Sequence, residues 1–206
     1  MSRCVIICAG EYAPVAFASE KGDFVICCDA GYKAAEAMGI KPDLIMGDFD
    51  SYGGKLPEDV PIMRYPVEKD DTDSMLAVRE GLKRGYTDFV LLFSLGGRLD
   101  HTIANIQTLA FIQNQGGNGI LIGPRDTVRL LKNGSLTLNR DPSRTFSIFA
   151  FGQTARGVTL TGMQYPLDNA EITQHFPIGL GNHILAPQGT VTVTDGTLIV
   201  IESEIN

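Results

Sequence analysis

Phe89-Val90-Leu91-Leu92-Phe93-Ser94-Leu95-Gly96-Gly97-Arg98-Leu99-Asp100-His101 is the stretch on which the fold turns. Residues 89–93 form an apolar run with no polar alternation, which reads as a strand covered on both faces, as in the middle of a parallel sheet. Gly96-Gly97 breaks that strand. Beyond it Ile103, Ile106, Leu109 and Ala110, with Ile112 or Gln113, recur at helical spacing as an inward stripe, and the Asn/Gly-rich cluster at 114–119 ends the helix.

The same strand–loop–helix unit recurs upstream. Strands are predicted at 4–8, 24–28 and 44–46, with a short one at 62–64, and helices at 32–38 and from Ser74 to the breaker Gly85; a last strand follows at 119–123. This alternation predicts an α/β fold, with a doubly wound, mostly parallel sheet in residues 1–124. Residues 125–206 have another texture. Short runs at 127–131, 135–138, 145–149, 157–160, 189–194 and 197–202 are separated by turn signals such as Lys132-Asn133-Gly134 and Asp195-Gly196, the latter read as a two-residue hairpin. The expectation is a C-terminal antiparallel β-sandwich. Residues 161–181 interrupt it with Gly and Pro, a pattern that suits a shaped binding loop as well as a long connection.

The chain has 206 residues and 44% hydrophobic content, enough for a sizeable core. A formal net charge of -7 and the lack of any Lys/Arg cluster argue against nucleic acid as a partner. The apolar run near the N-terminus is too short for a signal peptide or membrane span. Cys4, Cys8, Cys27 and Cys28 sit inside apolar runs with no companion His at zinc-like spacing, so free core thiols and a reducing, cytoplasmic setting are expected.

The chemistry gathers in loops after strands. In an open α/β sheet such loops collect at the carboxyl ends of the strands, where ligands bind. Gly47-Asp48-Phe49-Asp50-Ser51 follows one apolar run, Gly96-Gly97-Arg98-Leu99-Asp100-His101 another, and Asp70-Asp71-Thr72-Asp73 precedes a helix start. Alone, the last cluster reads as a solvated, capped helix start. Together the loops form a carboxylate-rich edge suited to Mg²⁺, to which Asp48, Asp50 and Asp73 could each give an oxygen, with Arg98 on a glycine loop for polyphosphate. Arg98 equally suits an ion pair with Asp100, His101 a place packed at the helix start, and Asp29 a helix cap. The P-loop and Gly-x-Gly-x-x-Gly signatures and Gly-x-Ser-x-Gly are all absent.

Taken in order and spacing, Cys28-Asp29-Ala30-Gly31, Pro42-Asp43-Leu44-Ile45-Met46-Gly47-Asp48-Phe49-Asp50-Ser51, Glu68-Lys69-Asp70-Asp71-Thr72-Asp73 and Gly96-Gly97-Arg98-Leu99-Asp100-His101 resemble the successive motifs of the thiamine pyrophosphokinase family. Gly157-Val158-Thr159-Leu160, Tyr165-Pro166-Leu167 and Gly179-Leu180-Gly181-Asn182 extend the resemblance into the second half. The chain departs from the family's usual Ala-Asp-Gly-Gly at residues 28–31, and from its common Ser-Asn-Glu at Gly181-Asn182-His183. The resemblance implies an α/β domain at 1–124 that binds ATP and Mg²⁺, a thiamine-binding β-sandwich at 125–206, and a homodimer with active sites between subunits. It also implies the reaction: ATP and thiamine give thiamine diphosphate and AMP. On that basis Asp48, Asp50 and Asp73 hold the metal, with Asp71 in reserve. Arg98 offsets charge, Asp29, Asp100 and His101 position substrate, and Asp100 is placed to take the hydroxyl proton. Tyr165, Asn182 and His183 would face the acceptor. A pyrophosphokinase acting on 6-hydroxymethylpterin, a metal-dependent phosphoesterase and a non-enzymatic nucleotide sensor are the rival readings.

Overall fold

The computed structural model describes residues 2–10, 12–49, 54–66 and 70–205. It has a mixed α/β fold dominated by sheet, and the chain divides into two compact units, 1–124 and 125–206.

The first unit contains β1 (Cys4–Ile7), β2 (Phe24–Cys28), α1 (Gly31–Met38), β3 (Leu44–Gly47), β4 (Ile62–Arg64), α2 (Asp73–Lys83), β5 (Asp88–Leu92), α3 (Leu99–Asn114) and β6 (Asn118–Ile122). Its strands pair in parallel in the order β6-β5-β1-β2-β3-β4. The central strands are buried along their length because both faces are covered. On one face Val5, Ile7, Val25, Cys27, Ile45 and Leu92 pack with Ala34 and Ala35 of α1. On the other, Gly81 brings α2 so close that a Cβ there would lie 2.6 Å from Phe89 Cε1 and 2.9 Å from Cys4 Sγ. Each large side chain buried this way contributes about 1.5–3 kcal/mol.

Helix α3 is rotated from its expected setting. Asn105, Thr108, Leu109 and Ile112 are its buried positions, Ile106 is half-buried, and Ile103 is 51% exposed. Apolar residues lie all around this helix, so spacing alone does not choose the inward face. Two polar groups are tolerated on the buried face because their hydrogen bonds are satisfied there: Asn105 by partners outside the helix, and Thr108 by its own helix, its hydroxyl donating to the Ala104 carbonyl at 3.0 Å.

The second unit is antiparallel: β7 (Asp126–Asn139), β8 (Arg144–Ala150), β9 (Ala155–Thr161), β10 (Leu167–Ile172) and β11 (Gln188–Glu204). The order β10-β9-β11-β7 holds four of them, and β8 pairs with β11. Two expected turns are corrected here. Lys132-Asn133-Gly134 and Asp195-Gly196 do not reverse the chain; they lie inside β7 and β11, opposite one another, at a break in register between Val193 and Thr197. Asn133 takes a left-handed φ of 45° and its Oδ1 accepts from Gly196 N at 2.9 Å, so the turn-forming residues are used to build a bulge between two long strands. Around this bulge β11 changes partner, from β9 at 190–192 and 195 to β8 at 198–204. Residues 161–181, expected as loop, contain strand β10. The core of this unit gathers Phe146, Ile148, Val158, Leu160, Val191 and Val200.

Candidate active site

In the parallel sheet β1 leads to β2 on one side, whereas β5 leads to β6 on the other. The strand order therefore reverses between β1 and β5, and the connections leaving their carboxyl ends part to open a crevice. A cleft of about 430 Å³ lies there. It is lined from the segment after β1 by Cys8 and Gly10, from the start of α2 by Asp73, and from the β5–α3 connection and first turn of α3 by Gly96, Arg98 and His101. Gly10 passes so close to the Phe93 carbonyl that any Cβ would collide with it.

The acidic corner begins at Asp29, the residue after β2. It is 9% exposed and takes a left-handed φ of 45°, held there by its N–H bond to the Met46 carbonyl at 2.8 Å. Its Oδ1 accepts from Phe49 N at 3.1 Å, and it rests on Gly47, where a side chain would run into that oxygen. Phe49 and Phe93, just past β3 and β5, also adopt left-handed φ values, 61° and 55°. Strain of this kind concentrates at functional edges. Burial raises the Asp29 carboxyl to about 6, and a hydrogen bond with the Asp73 carboxyl and the charges of Asp73 and Asp48 push the same way. Asp29 and Asp73 thus meet at one corner, with Asp48 near enough for its charge to be felt. Asp50 lies outside the described residues. Among the described residues no three ligating side chains converge on one point.

The other candidates divide. Asp71 turns along α2 to pair with Arg79 at 2.8 Å, and that guanidinium also lies 4.8 Å from the Phe111 ring centroid. Arg98 and Asp100 form a two-pronged, exposed ion pair, with Nε to Oδ1 at 3.1 Å and Nη2 to Oδ2 at 2.6 Å, which holds the Asp100 carboxyl below the usual range. Asp100 Oδ1 also accepts from His101 N at 2.9 Å, which occupies one of the free N–H groups in the first turn of α3. Gly96 and Gly97, with φ of 85° and 61°, shape the turn that presents Arg98. The thiols Cys8 and Cys28 line the cleft as neutral groups; burial pushes Cys8 up to about 12, with the Asp73 charge adding to it.

In the second unit Asn182 is buried, and its side chain serves its own loop. Oδ1 accepts from Tyr165 N at 3.0 Å and His183 N at 2.9 Å, and Nδ2 donates to the Tyr165 carbonyl at 2.8 Å. Its main chain bridges Phe146 in both directions at 2.8 Å. Tyr165 is 60% exposed and His183 half-buried.

Three polar residues of the cleft escape sequence reasoning: Ser74, Ser94 and Asn105. All are buried, and Asn105 joins the other two. Ser74 and Asn105 lie at inward positions of α2 and α3 and Ser94 in the connection after β5, and no motif in the sequence marks the three as a group.

The model for the catalytic domain of thiamin pyrophosphokinase matches residues 17–120, and the model for its vitamin B1 binding domain matches residues 135–198. The chain belongs to the thiamine pyrophosphokinase family. Thiamine pyrophosphokinase of Bacillus subtilis is 31% identical over 182 residues, 85% of each chain. A crystal structure of the Bacillus subtilis thiamine pyrophosphokinase superposes with a TM-score of 0.89 at 25% identity, covering 100% of both chains. That of Geobacillus thermodenitrificans thiamin pyrophosphokinase gives 0.85 at 24% identity, covering 99% of this chain and 98% of the other. The protein is therefore an enzyme with the pyrophosphokinase function of this family. The cleft falls within the catalytic match, save for Cys8, Ala9 and Gly10 after β1. Tyr165, Asn182 and His183 fall within the vitamin B1 binding match.

Proposed function

We propose that the crevice between β1 and β5 binds ATP with Mg²⁺ and passes the terminal diphosphate to the hydroxyl of thiamine, releasing AMP. The acidic corner is the observation that supports this most. Asp29 and Asp73 are hydrogen-bonded at the carboxyl ends of the strands with Asp48 near them, and the carboxylate oxygens of this edge are chemistry that fits a hard divalent ion. Asp48, Asp50 and Asp73 would hold it, with Asp29 behind them fixing Asp73. When bound, such an ion neutralises phosphate oxygens and helps orient the transferring group.

The chain's own residues carry the remaining work. Gly96 and Gly97 leave no side chain between the turn and a phosphate, and the first N–H groups of α3 face an anion favourably. Arg98 releases Asp100 to fork onto the transferring diphosphate and offset its growing charge. Asp100, freed in the same exchange, is placed for the hydrogen of the attacking hydroxyl, and His101 borders the same space. Attack on the β-phosphorus in line with the departing AMP needs mainly this positioning and charge. Tyr165 and His183, on the loop that Asn182 clamps, offer an aromatic wall and a polar partner to the cationic acceptor. The second unit acts as a sandwich-like acceptor domain. The enzyme works as a homodimer in the cytoplasm, with sites completed between subunits.

The test is the product. Protein, ATP, Mg²⁺ and thiamine should give AMP and thiamine diphosphate one for one, and chelator should stop the reaction. ADP as the main product, or phosphate release without thiamine, overturns the reading; a higher kcat/KM for 6-hydroxymethyl-7,8-dihydropterin reassigns the acceptor.

A further inference from the structure

Asn105 lies inside α3 with 8% of its surface exposed. Its side-chain carbonyl accepts from Ser74 Oγ at 2.8 Å, and its Nδ2 donates to the Ser94 carbonyl at 2.7 Å. A main-chain carbonyl only accepts, so the amide has one orientation, nitrogen toward the end of β5 and oxygen toward α2. Because Ser74 gives its hydrogen to Asn105, the hydrogen in the 3.1 Å contact between the Thr72 and Ser74 hydroxyls comes from Thr72. Thr72 Oγ1 in turn accepts from Met75 N at 3.2 Å. The result is a one-way chain of hydrogen bonds from the first turn of α2, through two hydroxyls and one amide, to the main chain beyond β5. Each member polarises the next.

The two ends of this chain are the two halves of the cleft. Asp73 lies between Thr72 and Ser74, and the Gly96-Gly97 turn carrying Arg98 begins two residues after Ser94. We propose that Asn105 is a positioning residue for diphosphate transfer, holding the Asp73 corner and the 96–98 loop at one fixed spacing. This rests on the function proposed above. A carboxylate at 105 keeps the acceptor toward Ser74 but offers no hydrogen to Ser94 and adds charge beside the acidic corner; an aliphatic residue serves neither partner. Ser74 and Ser94 are 9% and 5% exposed, so a lost partner leaves a buried polar group that must move to find another.

Two measurements test it on the full-length protein, steady-state kinetics and amide hydrogen exchange without ligands. Asn105→Asp and Ser74→Ala should each lower kcat about tenfold or more at saturating ATP and thiamine, since small misplacements are costly to transfer chemistry, with the thiamine KM moving less than about twofold. Ser74→Thr keeps the hydroxyl and should hold kcat within about threefold. The double variant Ser74→Ala/Asn105→Ala should be no slower than the slower of its two single variants. Exchange at residues 94–98 should rise in Ser74→Ala, although Ser74 makes no direct bond to that segment. Unchanged kcat with faster exchange confined to residues 72–76 overturns the proposal and leaves the chain a purely local stabiliser. If Asn105→Asp does not fold, the Ser74→Ala and Ser74→Thr pair decides. A wild-type protein that makes no AMP from ATP and thiamine sinks the function reading instead, and the exchange experiment still decides the coupling.

Discussion

Asp29, a proposed site residue, works against the fold that holds it. Its native carboxyl sits near 6, above its unfolded value, so the folded state prefers it protonated. The sign follows from linkage: the unfolded chain loses its proton first, and stability falls as pH rises from about 4 to about 6, then stays reduced. Asp29→Asn keeps an acceptor for Phe49 N and offers Asp73 a donor. Without divalent ions it should melt higher than wild type at pH 8, at about 2–4 °C per kcal/mol recovered, and the gap should close as pH falls from about 6 toward 4. A melting series over that range checks this; a constant gap would place the gain elsewhere. Activity should move oppositely. Asp48→Asn and Asp73→Asn should each lower turnover about a hundredfold, and near-wild-type rates in both would displace the proposed ligands. The thiols give a third residue-scale expectation. All four are free and buried, and burial raises Cys4 and Cys8 to about 12, so little reactive thiolate exists at pH 8. Titration with an aromatic disulfide reagent should register far fewer than four fast thiols before denaturation and all four after it.

At the scale of elements, α2 depends on its first turn. Thr72 caps it by accepting from Met75 N, and a lost cap costs about 1 kcal/mol, so Thr72→Ala should lower the melting temperature by a few degrees while Thr72→Ser does not. Differential scanning calorimetry of the two variants separates them. Which elements are legible in sequence depends on how local their determinants are. The uninterrupted run at 89–93, the glycine turn at 96–97 and the acid clusters at strand ends are local, and from them the parallel sheet and the carboxylate edge can be read. The inward face of α3 is not local, because Asn105 points inward only where Ser74 and Ser94 meet it, and neither is near it in sequence. The β7–β11 bulge fails for a related reason. Asn133-Gly134 and Asp195-Gly196 have the residues of a hairpin, but each spends them on the other, and only the paired structure holds both. The same limit applies to Asn182. Its place in a Gly-rich motif suggests a ligand contact, while its bonds to Tyr165 and His183 show a side chain occupied in shaping the loop.

For the whole molecule, the position of β1 has a consequence for how the protein is made. β1 pairs with β2 on one side, its neighbour in the chain, and with β5 on the other, where Cys4 meets Phe89 across most of the first unit. During synthesis the strands β1 to β4 are complete well before β5 leaves the ribosome. Until then the half-built sheet presents the open side of its most apolar strand, the kind of border on which another nascent chain can template itself. Distant pairing of this sort also slows folding. A chain stopped at residue 87 should collect in inclusion bodies, whereas the full-length chain has the strand that closes the border and should stay largely in the supernatant. Equal soluble yields for the two lengths would mean that something other than β5 shields β1 while the polypeptide grows.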